Sequence, residues 1–325
     1  MASTRFANSQ NSRISGILRS RIFPDNKGLD YKKPGRFRRL GVVATFAALG
    51  ILLSACSPAR LFNALSPDTG FQINRDLAYG QNPRNQLDVY TPISPNATAA
   101  GRPVVVFFYG GAWDSGEKSS YLFAAEALTS KGFVVVVPDY RLYPEVIFPA
   151  YMDDAARAVK WTFDNIAQYG GDASKVFVMG HSAGAQLAAL VAYDGSYLGH
   201  IGFDKNRIRG VISLAGPLDF LPLTEAKLEL IFPLSVRPAS QAINFVVGKE
   251  PPTLLLHGED DTRVGIHNSR NLAARIVQRG GEVQTTYYPD MGHVGILLAM
   301  AAPLRDGKPV LDRVAKFIEE HATRR

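Results

Sequence analysis

Residues 71–322 predict an α/β domain with a mostly parallel central sheet of about eight strands, helices on both faces and a short cap insertion near 216–250. Three observations lead there. Short apolar runs rich in β-branched residues recur along the chain, and such runs form strands buried on both faces. Helical stretches separate them, and strand–helix alternation builds a parallel sheet covered on both sides. Two segments that alternate apolar and polar residues come first, as half-exposed antiparallel strands do.

The alternating segments are Gln72 to Tyr79 and Gln86 to Tyr90. The solid runs follow at Val104 to Phe108, Phe133 to Val137, Val176 to Met179, Val211 to Leu214 and Leu254 to Leu256, with a last strand at Val283 to Tyr288. Helices are expected near 119–131, 150–168, 183–193, 267–279 and 308–321. The second of these carries Ala156, Val159, Trp161, Phe163 and Ile166 as a buried stripe. Residues 56–70 read as a linker. In open sheets of this class a ligand sits beyond the carboxyl ends of the strands, so the informative residues are those just after each apolar run.

The net charge of +7 belongs to one end of the chain. Residues 1–55 hold 10 of the 36 Lys and Arg residues and two of the 29 acids, leaving 26 bases and 27 acids from Cys56 onward. The globular part therefore gives no electrostatic reason to propose a nucleic-acid partner. Within residues 1–55, Arg36, Arg38 and Arg39 precede an almost wholly apolar run from Leu40 to Leu53, then Leu53-Ser54-Ala55-Cys56. A charged flank, a short apolar core and small residues at a cleavage point have the order of a secretory signal. The last four residues resemble a bacterial lipobox, in which the cysteine is lipidated. The expectation is a lipid anchor on Cys56, with the protein on the membrane of a bacterial cell envelope and facing the periplasm or exterior. The alternative is an uncleaved single-span anchor. Cys56 is the only cysteine, so the chain forms no internal disulfide and offers no cysteine cluster to a metal.

After the run Val176 to Met179 comes Gly180-His181-Ser182-Ala183-Gly184, followed by small helix-forming residues. This G-x-S-x-G in a strand–turn–helix context makes Ser182 the candidate nucleophile, because the tight turn lifts its hydroxyl above the sheet beside a helix N-terminus. A serine hydroxyl needs a base. Of six histidines, His181 is too close in the turn, His200 lies in a surface loop, His257 ends a strand, His267 opens a helix and His321 is in the terminal tail. His293 remains, in a loop after the last strand and C-terminal to the serine, as the chain order serine, acid, histidine requires. The acid that orients the base is Asp261, with Asp260 the near rival and Asp219 an outside candidate. The oxyanion formed on attack needs backbone donors: Ala183 N–H, and the N–H groups of Gly110 and Gly111 in the loop after the third strand.

These residues, together with Pro138-Asp139-Tyr140-Arg141-Leu142, Tyr143-Pro144-Glu145, Phe148-Pro149-Ala150, Asp153, Asp154, Gly170-Gly171-Asp172 and His257-Gly258 with Asp261 and Val264, resemble the α/β-hydrolase carboxylesterases of the hormone-sensitive-lipase-like and feruloyl-esterase-like branches. The resemblance covers roughly Gln72 to Glu320. It implies the α/β-hydrolase fold and hydrolysis of a small-molecule carboxylic ester through an acyl-enzyme, with no metal or organic cofactor. It also implies Ser182, Asp261 and His293 as the triad, with Gly110, Gly111 and Ala183 as oxyanion donors. The chain departs from the family at Tyr109, where a histidine usually opens the glycine loop. The segment between the sixth and seventh strands is rich in apolar residues, among them Leu218, Phe220, Leu221, Leu223, Leu230, Ile231 and Phe232. A short apolar cap of this kind suits short to medium acyl groups or aromatic acids. The rival readings are a peptidase or amidase on the same triad and a catalytically inactive binding lipoprotein, which would lack a triad member.

Overall fold

A computed structural model describes residues 58–93 and 101–323; the expected signal segment and Cys56 lie outside them. In chain order the elements are α1 (Pro58–Leu65), β1 (Phe71–Ala78), β2 (Gln86–Pro92), β3 (Arg102–Phe108), α2 (Leu122–Ser130), β4 (Val134–Pro138), α3 (Ala150–Asn165), β5 (Gly171–His181), α4 (Ala183–Tyr193), α5 (Gly195–Gly199), β6 (Gly210–Leu214), α6 (Ala226–Ile231), β7 (Thr253–Gly258), α7 (His267–Gln278), β8 (Val283–Tyr288), α8 (Gly295–Leu298) and α9 (Val310–Ala322).

The eight strands form one sheet in the order β1-β2-β4-β3-β5-β6-β7-β8. β1 runs antiparallel to β2 and β2 antiparallel to β4, while every later pairing is parallel. This is the α/β-hydrolase arrangement, with the two alternating segments as the antiparallel entry. Every residue of β4, β6 and β7 is buried, so the middle of the sheet is covered on both faces and a solid apolar run is the only pattern it tolerates. β1 has one half-exposed face, and its sequence alternates accordingly.

Three expectations need correction. Residues 58–65, expected as part of a linker, form α1, which is docked on the body. Asn63 Nδ2 donates to Ser119 O at 2.7 Å, Phe123 N donates to Asn63 Oδ1 at 3.0 Å, and the Phe62 and Phe123 rings lie 6.3 Å apart. β5 begins at Gly171, five residues before its apolar run, because Gly171 pairs with Arg102 across an irregular edge where Asp172, Ser174 and Lys175 are polar. His321 is not in a free tail: it is buried near the end of α9, with Nδ1 2.8 Å from Phe317 O and Nε2 2.9 Å from Glu282 Oε1.

The active end of the sheet is set by strand direction. β3, β5, β7 and β8 end at Phe108, His181, Gly258 and Tyr288, and each candidate residue lies within the next few positions. Asn63→Ala is expected to lower the unfolding free energy by about 1–2 kcal/mol, because it removes both bonds and strands the Phe123 N–H; urea unfolding of the full chain measures this.

Candidate active site

The turn between β5 and α4 is built around contacts too close for side chains. A Cβ on Gly180 would lie 2.2 Å from Gly184 O, and one on Gly184 would lie 2.1 Å from Phe108 O and 2.4 Å from Tyr109 O. Neither glycine is needed for its backbone angles; both are needed because three segments meet with no space between them. The squeeze leaves Ser182 at φ 54°, ψ −127°, a region that L side chains rarely occupy. Its N–H donates to Leu214 O at 3.0 Å, which ties the turn to the neighbouring strand β6.

Three of the sequence-predicted residues meet at this turn. His293 Nε2 lies 2.8 Å from Ser182 Oγ, and His293 Nδ1 lies 2.7 Å from Asp261 Oδ2. Asp261 Oδ1 accepts from Arg263 N at 2.9 Å and Val264 N at 2.8 Å, the first turn of a loop that folds around its own carboxylate. Burial pushes this carboxyl upward, but the bonds from His257, His293 and Val264 N–H outweigh it and hold the group well below the usual carboxylate range. It stays ionised and accepts from Nδ1, so Nε2 faces the serine hydroxyl as a proton acceptor. The rivals are elsewhere. Asp260 is exposed, and its N–H donates to Met291 O; Asp219 accepts from Asn271 Nδ2 at 2.7 Å.

His181 sits behind the base and is buried. Its Nε2–H donates to His293 O at 2.9 Å, and the two rings lie 4.9 Å apart. Burial, with His293 adding to it, holds its pKa down to about 3, so the ring is neutral and serves as a tether for the base's own backbone.

The loop after β3 places Gly110 beside the serine, and Gly111 follows it in the chain. A Cβ on Gly110 would come within 3.0 Å of Ser182 Cβ and of His181 Nδ1 and O. Gly111 takes φ 141°, and a Cβ there would lie 2.0 Å from Ser115 O. Gly111 O accepts from Asp114 N and Ser115 N, so its peptide is pinned within a tight turn. Ala183 opens α4, where a first-turn N–H has no helical acceptor. Tyr109 is wholly buried between Tyr121 and Tyr140, with ring centroids 5.0 and 4.9 Å away. Its hydroxyl donates to Asp139 Oδ1 at 2.6 Å and accepts from Arg84 Nη2 at 2.8 Å. Tyr140 OH donates to Tyr109 O at 2.8 Å and Tyr121 OH to Gly110 O at 3.0 Å. The tyrosine thus braces the loop from below.

Over the serine lies a cavity of about 320 Å³. Phe220, Leu221, Leu223 and Leu228 line it from the insertion, and Trp113 lines it from the glycine loop. Leu218, Ile231 and Phe232 are buried and pack the insertion onto the body, whereas Leu230 is 58% exposed and does not line the cavity. Arg263, His267 and Asn268 add a polar wall. Sequence reasoning missed what holds the insertion down. Gln186 accepts from Trp113 Nε1 and donates to Ser240 O, both at 2.8 Å. Gln241 accepts from Phe220 N at 2.7 Å, and Asn268 Oδ1 accepts from Leu218 N and Asp219 N at 2.9 and 2.8 Å. An ion pair joins Lys227 on α6 to Asp114 in the glycine loop. The available signal was an amide in an otherwise apolar helix: Gln186 is the sole polar side chain between Ala183 and Ala192. Among the described residues, no group of three His, Cys, Asp or Glu side chains is arranged to hold a metal ion, and no helix is long and apolar enough to cross a membrane.

Comparison with known proteins finds a matching family and several related esterases. The profile of the BD-FAE family matches residues 87–276, more than half of the chain. An isoprenylcysteine alpha-carbonyl methylesterase of Arabidopsis thaliana is 28% identical over 263 residues, covering 74% of this chain and 60% of the relative. Esterase LipQ of Mycobacterium tuberculosis is 28% identical over 264 residues, covering 75% and 61%. The chain thus spans about three fifths of the length of the curated relatives it matches. Esterase B of Lactobacillus rhamnosis, solved with a tributyrin phosphonate, superposes with a TM-score of 0.71 at 20% identity, covering 89% of this chain and 97% of that one. At that identity the likeness shows the shared fold.

A pH dependence of stability follows from His181. The unfolded chain takes up a proton there below the ordinary value of 6.5, while the folded state does not until about pH 3. The unfolded state therefore binds more protons across that window, and stability falls as pH drops through it, by up to roughly 1.4 kcal/mol per pH unit. Chemical denaturation at pH 7, 5 and 4 is expected to show this slope, and His181→Gln, which keeps an amide donor, to flatten it.

Proposed function

The chain belongs to the BD-FAE family, and on that premise we propose that it is a serine hydrolase cleaving carboxylic esters of short to medium acyl or aromatic acids. The observation that carries the proposal is the unbroken line from Asp261 through His293 to Ser182, with contacts of 2.7 and 2.8 Å. The names of the relatives, esterases and methylesterases, support the same bond class.

The geometry supports an acyl-enzyme route. Ser182 Oγ attacks the ester carbonyl as His293 Nε2 takes its proton, and Asp261 stabilises the imidazolium through Nδ1. The negative charge that forms on the carbonyl oxygen is met by the N–H groups of Ala183, Gly110 and Gly111, fixed before the substrate arrives and so needing no reorganisation. His293 then gives the proton to the departing alcohol, leaving an acyl group on Ser182. A water, deprotonated by the same nitrogen, releases the acid. The cavity volume and the apolar side chains from the insertion support an acyl group of limited length. We also place the protein on a cell-envelope membrane through a lipid on Cys56, a reading supported by the sequence order of Arg36 to Cys56.

Hydrolysis of p-nitrophenyl esters from acetate to a long acyl chain tests the activity. Turnover is expected to peak at short to medium chains and to fall by a factor on the order of 10⁴ or more in Ser182→Ala. No turnover on any ester, with Ser182 unlabelled by a fluorophosphonate in the folded protein, contradicts the proposal. The anchor is tested separately: Cys56→Ser is expected to move the protein from the membrane fraction to the soluble one, and an unchanged distribution rejects the lipid.

A further inference from the structure

His257 ends β7, is wholly buried, and has no part in the proton transfers described above. Both of its ring nitrogens have a polar partner. Nε2 lies 2.8 Å from Val264 O and 3.2 Å from Asp261 Oδ2. Both are acceptors, so this nitrogen carries the hydrogen, directed at Val264 O with the carboxylate on its flank. Nδ1 lies 2.7 Å from Ser269 Oγ on α7, whose hydroxyl can donate to it. One ring therefore ties the end of β7 to the acid loop and to the helix that follows.

We infer that His257 is a positioning residue for the proposed esterase reaction: it fixes the Asp261 carboxylate so that Oδ2 faces His293 Nδ1. The inference rests on the esterase reading. Asp261 Oδ1 is held by two backbone N–H groups, those of Arg263 and Val264. Those bonds alone allow the carboxylate to pivot about Oδ1. Oδ2 touches two imidazoles, His293 at 2.7 Å and His257 at 3.2 Å, and only His257 is itself fixed from a strand and a helix. The second hold on Val264 O keeps the turn that supplies the Oδ1 donors from opening. The groups facing the base are then complete: His293 meets Asp261, Ser182 and the neutral His181, and Asp261 meets His257, His293 and the two backbone N–H groups.

The test compares His257→Phe, His257→Gln and His257→Asn in the full-length chain. Phe keeps the ring and removes the N–H. Gln places an amide donor near the position of Nε2, whereas Asn reaches only that of Nδ1. For His257→Phe, kcat is expected to fall on the order of tenfold to a hundredfold, with KM on p-nitrophenyl butyrate unchanged. The acid limb of its kcat/KM profile is expected to move to higher pH, because the Asp261 charge is no longer shared with a second N–H. Gln is expected to recover most of kcat, and Asn not. A Phe variant with wild-type kcat and an unmoved acid limb overturns the role, as does a loss shared equally by Gln and Asn. Should Phe fail to fold, the Gln and Asn pair decides. Wild-type turnover and fluorophosphonate labelling are read alongside: active wild type with unaffected variants rejects only the positioning role, while inactive, unlabelled wild type rejects the esterase reading beneath it.

Discussion

The site depends on a collision that never happens. At Gly180 and Gly184, the end of β5, the start of α4 and the end of β3 approach so closely that a single methyl group on either glycine would overlap a carbonyl oxygen. That contact forces Ser182 into its strained backbone and turns its hydroxyl away from the sheet. It also brings Gly110 against the serine and leaves His181 buried behind it. The strain is a local cost of a kind that persists only when the surroundings over-determine it. Here they do: the pairing of β5 with β3 and β6 fixes both flanks of the turn.

Around that contact, the charged and polar groups are arranged in two separate systems. On one side, Asp261, His257 and His293 form a compact cluster in which one carboxylate is surrounded by N–H groups. On the other, Tyr109, Asp139 and Arg84 hold the glycine loop. In the second system the support is built on the Tyr109 ring and hydroxyl. Burial raises the phenol well above its ordinary value, with Tyr140 and Asp139 adding to the effect, so it remains a neutral donor to the carboxylate below. The loop backbone is held at both Tyr109 O and Gly110 O by the neighbouring tyrosines, and the position of Gly110 does not rest on one side chain alone.

Much of this was legible in the chain. The parallel strands announce themselves because a strand buried on both faces accepts nothing but apolar residues, and β4 is four valines in a row. Ser182 is legible because glycine, a small residue and glycine are the chemical trace of a turn without room. His293 follows from chain order. Asp261 and Asp260 could not be separated by sequence, since adjacent residues of identical chemistry differ only in which way the loop turns, and the N–H groups of Arg263 and Val264 decide that. α1 was missed for a related reason: Pro58 and Pro67 bracket it, but those prolines suit a linker equally well, and its eight residues dock because Phe62 and Asn63 find partners some 60 positions away. Buried amides such as Gln186 and Asn268 leave only a faint trace, because what they bond to is backbone, which looks alike in every sequence.

That last property shapes how the insertion over the serine can change. Gln186, Gln241 and Asn268 grip main-chain atoms of Ser240, Phe220, Leu218 and Asp219, so the roof is fastened independently of the side chains it displays below. Phe220, Leu221 and Leu223 can be exchanged for larger or smaller groups while the fasteners keep their partners. Attachment and lining are thus carried by different residues, with Gln186 and Asn268 gripping from outside the insertion, and a lineage, or an engineer, can reshape the cavity without disturbing what fastens its roof.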